Sequence, residues 1–178
     1  QSLFVRAAVS GVIHEGALAA ALTSLVILIF LGSWRSTVII ATSIPLSVLG
    51  AVMALAALGE TLNIMTLGGL ALAVGILVDE ATVAVENIHV QLQTTDSVAL
   101  AVWRGITETA VPRLLAMLCI LAVFIPSFAM QGAARALFVP LALAVGFAMI
   151  ASYVLSSTLV PVLSVWLLRG HERAAAHV

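Results

Sequence analysis

Long apolar runs alternate with short polar segments along the whole chain. A helix needs about 20 mainly apolar residues to cross the hydrocarbon core of a bilayer, because that core is about 30 Å thick. Measured against this length, the pattern predicts five spanning helices, over residues 17–31, 37–58, 65–85, 110–129 and 138–168. We therefore expect an all-α, polytopic transmembrane helix bundle, with residues 1–178 forming a single partial transmembrane domain.

The polar connection between the third and fourth runs has a different pattern. Thr94, Thr95 and Asp96 are candidate helix N-caps, and apolar residues recur after them on one side of a helix. This amphipathic pattern predicts a separate helix over about 96–108 that lies along the cytoplasmic surface of the membrane.

Composition supports a membrane environment. Hydrophobic residues make up 63% of the chain and charged residues 8%, whereas a soluble domain is about 25% charged. This excludes a water-soluble fold and makes lipid the first expected partner. The net charge of -1 and the lack of a basic patch give no indication of nucleic-acid binding.

Arginine supplies every permanent cation, since the chain contains no lysine. Cytoplasmic loops of membrane proteins collect positive charge. If all five runs cross the membrane, two arginines fall on one side, Arg6 and Arg135, and five fall on the other: Arg35, Arg104, Arg113, Arg169 and Arg173. The larger group predicts a multi-pass protein whose C-terminal tail, residues 169–178, is cytoplasmic.

Two adjacent acids, Asp79 and Glu80, lie about fifteen residues inside the third run. One ionised carboxylate at the centre of a spanning helix costs about 2.5–3.5 kcal/mol. Such acids are protonated, or face a cation from another helix, or line a wet cavity, and alternation between these settings binds and releases a proton. The pair therefore predicts proton translocation by Asp79 and Glu80.

Other residues of the same run fit this hypothesis. Gly68, Gly69 and Gly75 would let helices pack closely. Positions seven apart share a helix face, which aligns Glu86 with Asp79 and Asn87 with Glu80, and Thr82 follows Asp79 by three. Thr82, Glu86 and Asn87 are therefore expected as supporting polar groups.

Enzyme and metal sites are weaker interpretations of the same residues. An intramembrane aspartyl protease needs two Asp on facing helices, and the only other Asp, Asp96, lies in the polar connection. Glu86 and His89 have the spacing of a metal pair, but two ligands at a membrane edge do not make a site. We expect a transporter rather than an enzyme, with no bound metal.

The stretch GGLALAVGILVDEATVAVENI, residues 68–88, resembles the fourth transmembrane helix of resistance-nodulation-division (RND) transporters. Further matching segments occur in the family's order and extend the resemblance over essentially the whole chain: FLGSWRSTVI, ALGETLNIMTL, AVFIPSFAMQG and TLVPVL. The resemblance implies that the five runs are helices two to six of the N-terminal half of such a permease, so that the chain is a fragment.

In the family, the C-terminal half supplies Lys and other polar partners of the acids. The resemblance therefore implies that this chain holds half of the proton site, with Asp79 at the first acidic position and Glu80 where drug exporters usually have a second Asp. Without a cation from the other half, both acids are expected to be largely protonated in this chain alone.

The implied activity is proton-coupled antiport of hydrophobic or drug-like compounds across the bacterial inner membrane, driven by the proton motive force without a cofactor. The implied partners are the remaining halves of the parent transporter, including its C-terminal transmembrane helices, in a homotrimer with a periplasmic adaptor and an outer-membrane channel. The retained acid pair favours drug export. A heavy-metal RND exporter and a truncated membrane remnant without transport activity are the alternatives.

Overall fold

Four long helices make up the bundle. The computed structural model describes residues 33–168 and nine single positions between 10 and 29. The helices are α1 (Trp34–Ala57), α2 (Ile64–Leu92), α3 (Val98–Ala129) and α4 (Gly132–Leu168), and none of the described residues lies in a strand. All four are long and apolar enough to cross a membrane. The all-α helix bundle is confirmed.

Two of the sequence predictions concern residues that lie mostly outside the described part of the chain. Most of the first predicted span, 17–31, and all of the tail, 169–178, lie outside the described residues. The scattered described positions of that span are helical and exposed, namely Leu18, Ala21, Leu22, Leu25, Val26, Leu28 and Ile29.

The start of α2 is fixed by a capping box. The Asn63 side chain accepts hydrogen bonds from the backbone N–H groups of Met65 and Thr66, both at 2.9 Å, and the Thr66 hydroxyl accepts one from the Asn63 N–H at 2.8 Å. Before it, Gly59 turns the chain with φ +76°, a conformation that favours glycine. These local signals explain why α2 begins at Ile64.

α3 contradicts one prediction. The expected surface helix over 96–108 and the expected span over 110–129 form one continuous helix of 32 residues, capped at its start by the Ser97 side chain. At 1.5 Å per residue it is about 48 Å long. The boundary was predicted from polarity, but polar residues on one face do not interrupt backbone hydrogen bonding.

The core consists of two apolar clusters at different levels of the bundle. The first core cluster lies toward the start of α2 and contains Leu70, Ala73, Leu77, Met117, Val145, Ala148 and Met149, with Ala51 and Leu55 of α1. The second core cluster lies toward the end of α2 and includes Ile39, Ile40, Val85, Ile88, Val98, Val102, Val160 and Leu168. α4 contributes to both clusters and packs against all three other helices.

Candidate intramembrane proton site

The two acids lie in the middle of α2 but on different faces of it. Successive residues of a helix are rotated by about 100°. Asp79 is exposed, whereas Glu80 is only 9% exposed and points into the bundle. The structure therefore separates the acid pair, with one carboxylate inside this chain and one on its surface.

Glu80 lies in a buried polar layer formed by three helices. The other buried polar residues of this layer are Arg113 of α3, which is 5% exposed, and Ser152 and Ser156 of α4. Arg113 and Ser152 lie close enough to Glu80 to act on its carboxyl group electrostatically. We use the name polar layer for these four residues, which the fold brings together from distant parts of the sequence.

Arg113 is held in place from the α4 side. Its Nη1 donates a hydrogen bond of 2.7 Å to the Ser156 Oγ, which itself donates to the Tyr153 carbonyl oxygen at 3.1 Å. The guanidinium carbon lies 5.8 Å from the centroid of the Tyr153 ring, within the range of a cation–π interaction. The Tyr153 hydroxyl donates to the Ala110 carbonyl oxygen at 3.3 Å. These contacts fix the cation at the level of Glu80.

Hydrogen bonding in the polar layer is incomplete. Neither carboxylate oxygen of Glu80 has a hydrogen-bond partner, and the Nε and Nη2 of Arg113 have none either. Ser152 is near the carboxyl group, but its hydroxyl does not reach hydrogen-bonding geometry with those oxygens. The structure therefore shows no direct hydrogen bond between the Glu80 carboxylate and the Arg113 guanidinium.

The polar layer is enclosed by the two core clusters. On α4, Ser152 and Ser156 lie between Met149 of the first cluster and Val160 of the second. On α3, Arg113 precedes Met117 of the first cluster by one turn. Charges in such apolar surroundings interact more strongly than they do in water, because the effective dielectric constant is low.

Of the three expected supporting residues, two make hydrogen bonds away from the acids and one is exposed. The Thr82 hydroxyl donates to the Val78 carbonyl oxygen of its own helix at 2.8 Å, and Glu86 is exposed. The Asn87 Nδ2 donates to the Gly105 carbonyl oxygen at 2.8 Å and to Glu108 Oε2 at 3.2 Å. In this structure Asn87 thus connects α2 to α3.

The three glycines of α2 differ in their surroundings. A Cβ atom on Gly69 would lie 2.7 Å from the Leu141 carbonyl oxygen and 2.9 Å from the Ala144 Cβ, so Gly69 allows α2 and α4 to approach closely. A Cβ atom on Gly68 or Gly75 would meet nothing within 4 Å. Close packing is therefore seen at Gly69, whereas for Gly68 and Gly75, which meet no described helix, it stays a prediction.

Gly68 and Gly75 instead share the exposed face with Asp79. The exposed residues of α2 follow one another at intervals of three or four, as expected for one side of a helix: Ile64, Gly68, Leu72, Gly75, Asp79, Val83, Glu86 and Val90. We call this set the Asp79 face.

No metal site accompanies the acids in the described part of the chain, where no three His, Cys, Asp or Glu residues cluster. His89 has a neighbour at each ring nitrogen, with Nε2 3.4 Å from the Ser36 Oγ and Nδ1 3.2 Å from the Val85 carbonyl oxygen.

Sequence comparison supplies the family. A sequence model described as the AcrB/AcrD/AcrF family matches residues 1–177. The chain belongs to this family. The RND resemblance is thereby confirmed, and the chain is a multi-pass segment of a transporter family rather than of an enzyme family.

Individual relatives of the AcrB/AcrD/AcrF family carry two kinds of name. The chain is 37% identical over 169 residues to the multidrug resistance protein MdtC of Yersinia pseudotuberculosis and, to the same extent, to that of Yersinia pestis. These alignments cover 95% of this chain and 16% of each relative. A crystal structure of a heavy metal efflux pump superposes with a TM-score of 0.75 at 35% identity, covering 90% of this chain and 16% of the pump.

Arg113 is the residue of this family member that sequence reasoning placed wrongly. It was counted among the cytoplasmic arginines, but the structure buries it beside Glu80. Arg113 is thus a buried cation of this chain that the RND resemblance did not imply, and the expectation that the other half supplies the cation for the acids stays a prediction. A signal was present in the sequence, because Arg113 lies inside the apolar run 110–129 rather than beyond its end.

Proposed function

We propose that the AcrB/AcrD/AcrF-family permease containing this chain exports hydrophobic or drug-like compounds in exchange for protons, and that this chain supplies half of the proton relay. The observation that carries the proposal is an exposed carboxylate, Asp79, in the middle of an apolar spanning helix beside the buried Glu80. Similarity to MdtC, which is named a multidrug resistance protein, favours drug-like substrates.

The position of Asp79 explains how it would carry a proton. An ionised carboxylate facing lipid at mid-span costs about 2.5–3.5 kcal/mol, so the remainder of the permease is expected to cover it with polar groups. A conformation that brings a cation to Asp79 favours proton release, and one that withdraws the cation favours proton uptake. Alternation between the two would couple the proton motive force to export.

The proposal extends to location and assembly. The permease would lie in the bacterial inner membrane with the tail 169–178 in the cytoplasm. Without the buried Arg113, the arginine distribution still assigns four arginines to that side and two to the other: Arg35, Arg104, Arg169 and Arg173 against Arg6 and Arg135. Its C-terminal transmembrane helices would contact the Asp79 face. A homotrimer working with a periplasmic adaptor and an outer-membrane channel is the assembly that the RND resemblance implies.

Neutralising each acid in the full-length permease tests the proposal. We expect Asp79→Asn to abolish proton-coupled dye export from energised cells at an unchanged amount of protein, and Glu80→Gln to reduce it. Asp96→Asn is the control, because Asp96 is an exposed carboxylate in the connection between α2 and α3. Undiminished export by both the Asp79 and the Glu80 variants would contradict the proposal.

Heavy-metal export is the second candidate, because the heavy metal efflux pump shares 35% identity and the fold of this segment. A strain lacking its own pumps and expressing the permease distinguishes the two candidates. Protection against dyes and detergents but not against metal salts supports drug export, and the reverse pattern supports metal export.

A further inference from the structure

A groove between the first part of α3 and the last part of α4 has no role in the proposed proton relay. Its volume is about 420 Å³, within the range of pockets that bind small molecules. Its walls are mostly apolar and include Val102, Trp103, Ile106, Pro161, Val162 and Val165. We propose that this groove binds an anionic phospholipid of the cytoplasmic leaflet, with the lipid phosphate at Arg104. The inference rests on the proposed membrane location and does not use the proton relay.

The three tryptophans of the chain lie at the end of the bundle that contains the groove. Trp34 begins α1, Trp103 lies near the start of α3 and Trp166 near the end of α4, and they are 62%, 69% and 76% exposed. Arg35 Nη1 donates to the Leu167 carbonyl oxygen at 3.1 Å, which joins the start of α1 to the end of α4. Tryptophan is enriched where hydrocarbon meets lipid headgroups. The groove therefore lies at the membrane surface.

A polar atom without a hydrogen-bond partner lies at the inner end of the groove. Ser157 lines the groove, and its buried hydroxyl has no partner. The preceding Ser156 is bonded to Arg113, which lies three residues inside the apolar run that begins at Ala110. Ser157 is therefore near the edge of the hydrocarbon core, the depth at which a phospholipid carries its ester carbonyl groups. Such a carbonyl can accept the hydrogen bond that the buried hydroxyl lacks.

Arg104 provides a positive charge beside the groove. It is exposed and lies between two lining residues of α3, Trp103 and Thr107. Helical side chains lean toward the N-terminus of their helix, so Arg104 leans toward the end that carries the tryptophans. Neither helix offers a competing carboxylate, because α4 contains no acid and the only acid of α3, Glu108, accepts hydrogen bonds from two side chains of α2.

A phospholipid matches all three features of the groove. Its phosphate can accept charge-assisted hydrogen bonds from Arg104, an ester carbonyl can accept from Ser157, and its hydrocarbon can cover the apolar walls. Basic pockets between spanning helices on the cytoplasmic side are suited to anionic headgroups. An apolar helix from the remainder of the permease would cover the walls but would leave Arg104 and the Ser157 hydroxyl without partners.

Photocrosslinking of the full-length permease in vesicles locates the lipid. The vesicles contain phosphatidylcholine and a small fraction of phosphatidylglycerol that carries a diazirine near the start of one acyl chain, and mass spectrometry of the peptides maps the crosslinks. We expect crosslinks concentrated on 99–107 and 157–165. Unlabelled phosphatidylglycerol should compete for these positions, whereas additional phosphatidylcholine should not.

Two substitutions test the charge and the groove separately. Arg104→Gln should lower crosslinking in the groove about fivefold, as expected for one basic residue near an anionic lipid, and Arg104→Lys should retain most of it. Arg135→Gln is the control, because Arg135 is exposed at the other end of the bundle. Val162→Trp fills the groove and should abolish the crosslinks there. Val154→Trp is its control, because Val154 is an exposed valine of α4 that does not line the groove.

Three results would overturn the inference. Crosslinks spread evenly over the exposed helix surfaces would indicate ordinary surrounding lipid, and a groove without crosslinks would indicate that another part of the permease covers it. Equal competition by phosphatidylcholine, or full crosslinking in Arg104→Gln, would indicate that the headgroup charge is not recognised. Because the readout is lipid contact and not export, failure of the lipid site leaves the proposed proton coupling untouched, and loss of proton coupling leaves the lipid site in place.

Discussion

Two neighbouring serines of α4, Ser156 and Ser157, differ in their hydrogen bonding. The Ser156 hydroxyl accepts from Arg113 and donates to the Tyr153 carbonyl oxygen. The Ser157 hydroxyl is buried and has no hydrogen-bond partner. The two side chains differ only in the direction in which they point. The Ser156 hydroxyl accepts a hydrogen bond from a buried cation, whereas the Ser157 hydroxyl has no hydrogen-bond partner.

Replacing each serine by alanine should therefore give different results. Ser156→Ala removes the acceptor of a buried, charged donor and should lower the free energy of unfolding by about 1–3 kcal/mol. Ser157→Ala should be close to neutral and serves as the matched control. Thermal unfolding of the purified full-length permease in detergent measures both. Equal stability of the two variants would show that the Arg113–Ser156 hydrogen bond does not contribute.

At the scale of single residues, the sequence predicts that Asp79 and Glu80 are important, but it does not predict which of them is buried. Asp79 and Glu80 stand out because a carboxylate is costly at mid-span. Which of the two side chains points into the bundle depends on how α2 packs against α3 and α4. The identities of the two adjacent residues do not reveal this packing. Arg113 was misplaced for a related reason, since counting charges near span ends treats every arginine as a loop residue.

At the scale of elements, α2 and α3 form a tight antiparallel hairpin. A Cβ atom on Gly105 would lie 2.9 Å from the backbone N and Cα of Ile88, so the two helices touch there. Glu108 Oε2 accepts from Asn87 Nδ2 at 3.2 Å and from Gln91 Nε2 at 2.8 Å. These contacts keep the first part of α3 against α2 instead of along a membrane surface.

Adding a methyl group at that contact should weaken the hairpin. In Gly105→Ala the new atom meets backbone, which cannot rotate away as a side chain can, and overpacking of this kind costs about 1–3 kcal/mol. Gly146→Ala is the control, because its Cβ would lie 3.5 Å from the Leu121 Cδ2, an ordinary contact. We expect a lower melting temperature only for Gly105→Ala. An unchanged value would mean that the helices separate there at no cost.

Element boundaries were predicted well where polarity and helix ends coincide. The run 37–58 differs from α1 by only a few residues. The run 65–85 matches the start of α2 but ends seven residues early, because the helix continues through Glu86, Asn87 and His89. An apolar run indicates the part of a helix that can lie in lipid, whereas capping residues determine where the helix ends.

At the scale of the whole molecule, the Asp79 face is a surface without a partner among the helices described above. It contains a carboxylate and two glycines with open space above them, Gly68 and Gly75. Small residues on a spanning helix allow another helix to approach closely. The chain spans 16% of the length of the MdtC relatives, and in the proposed permease this face is where further helices would pack.

A bulky residue on the Asp79 face should leave the folding of this segment intact but impair export by the whole permease. Gly75→Leu meets nothing within 4 Å in the bundle, so its four helices should still pack. It would, however, hold the remainder of the permease away from Asp79 and should reduce proton-coupled export at least about tenfold, since close helix packing needs small residues. Export and amount of the full-length protein in membranes are measured together.

Gly69→Leu is the matched comparison variant, because Gly69 lies on the side of α2 that packs against α4. Its side chain would collide with the Leu141 carbonyl oxygen and the Ala144 Cβ, so the amount of folded protein itself should fall. Loss of export at normal protein amount in Gly75→Leu, with loss of protein in Gly69→Leu, places the missing partner on the Asp79 face. Export by Gly75→Leu at the unmodified rate would mean that Asp79 faces lipid or water there, and the relay would then need a different partner surface.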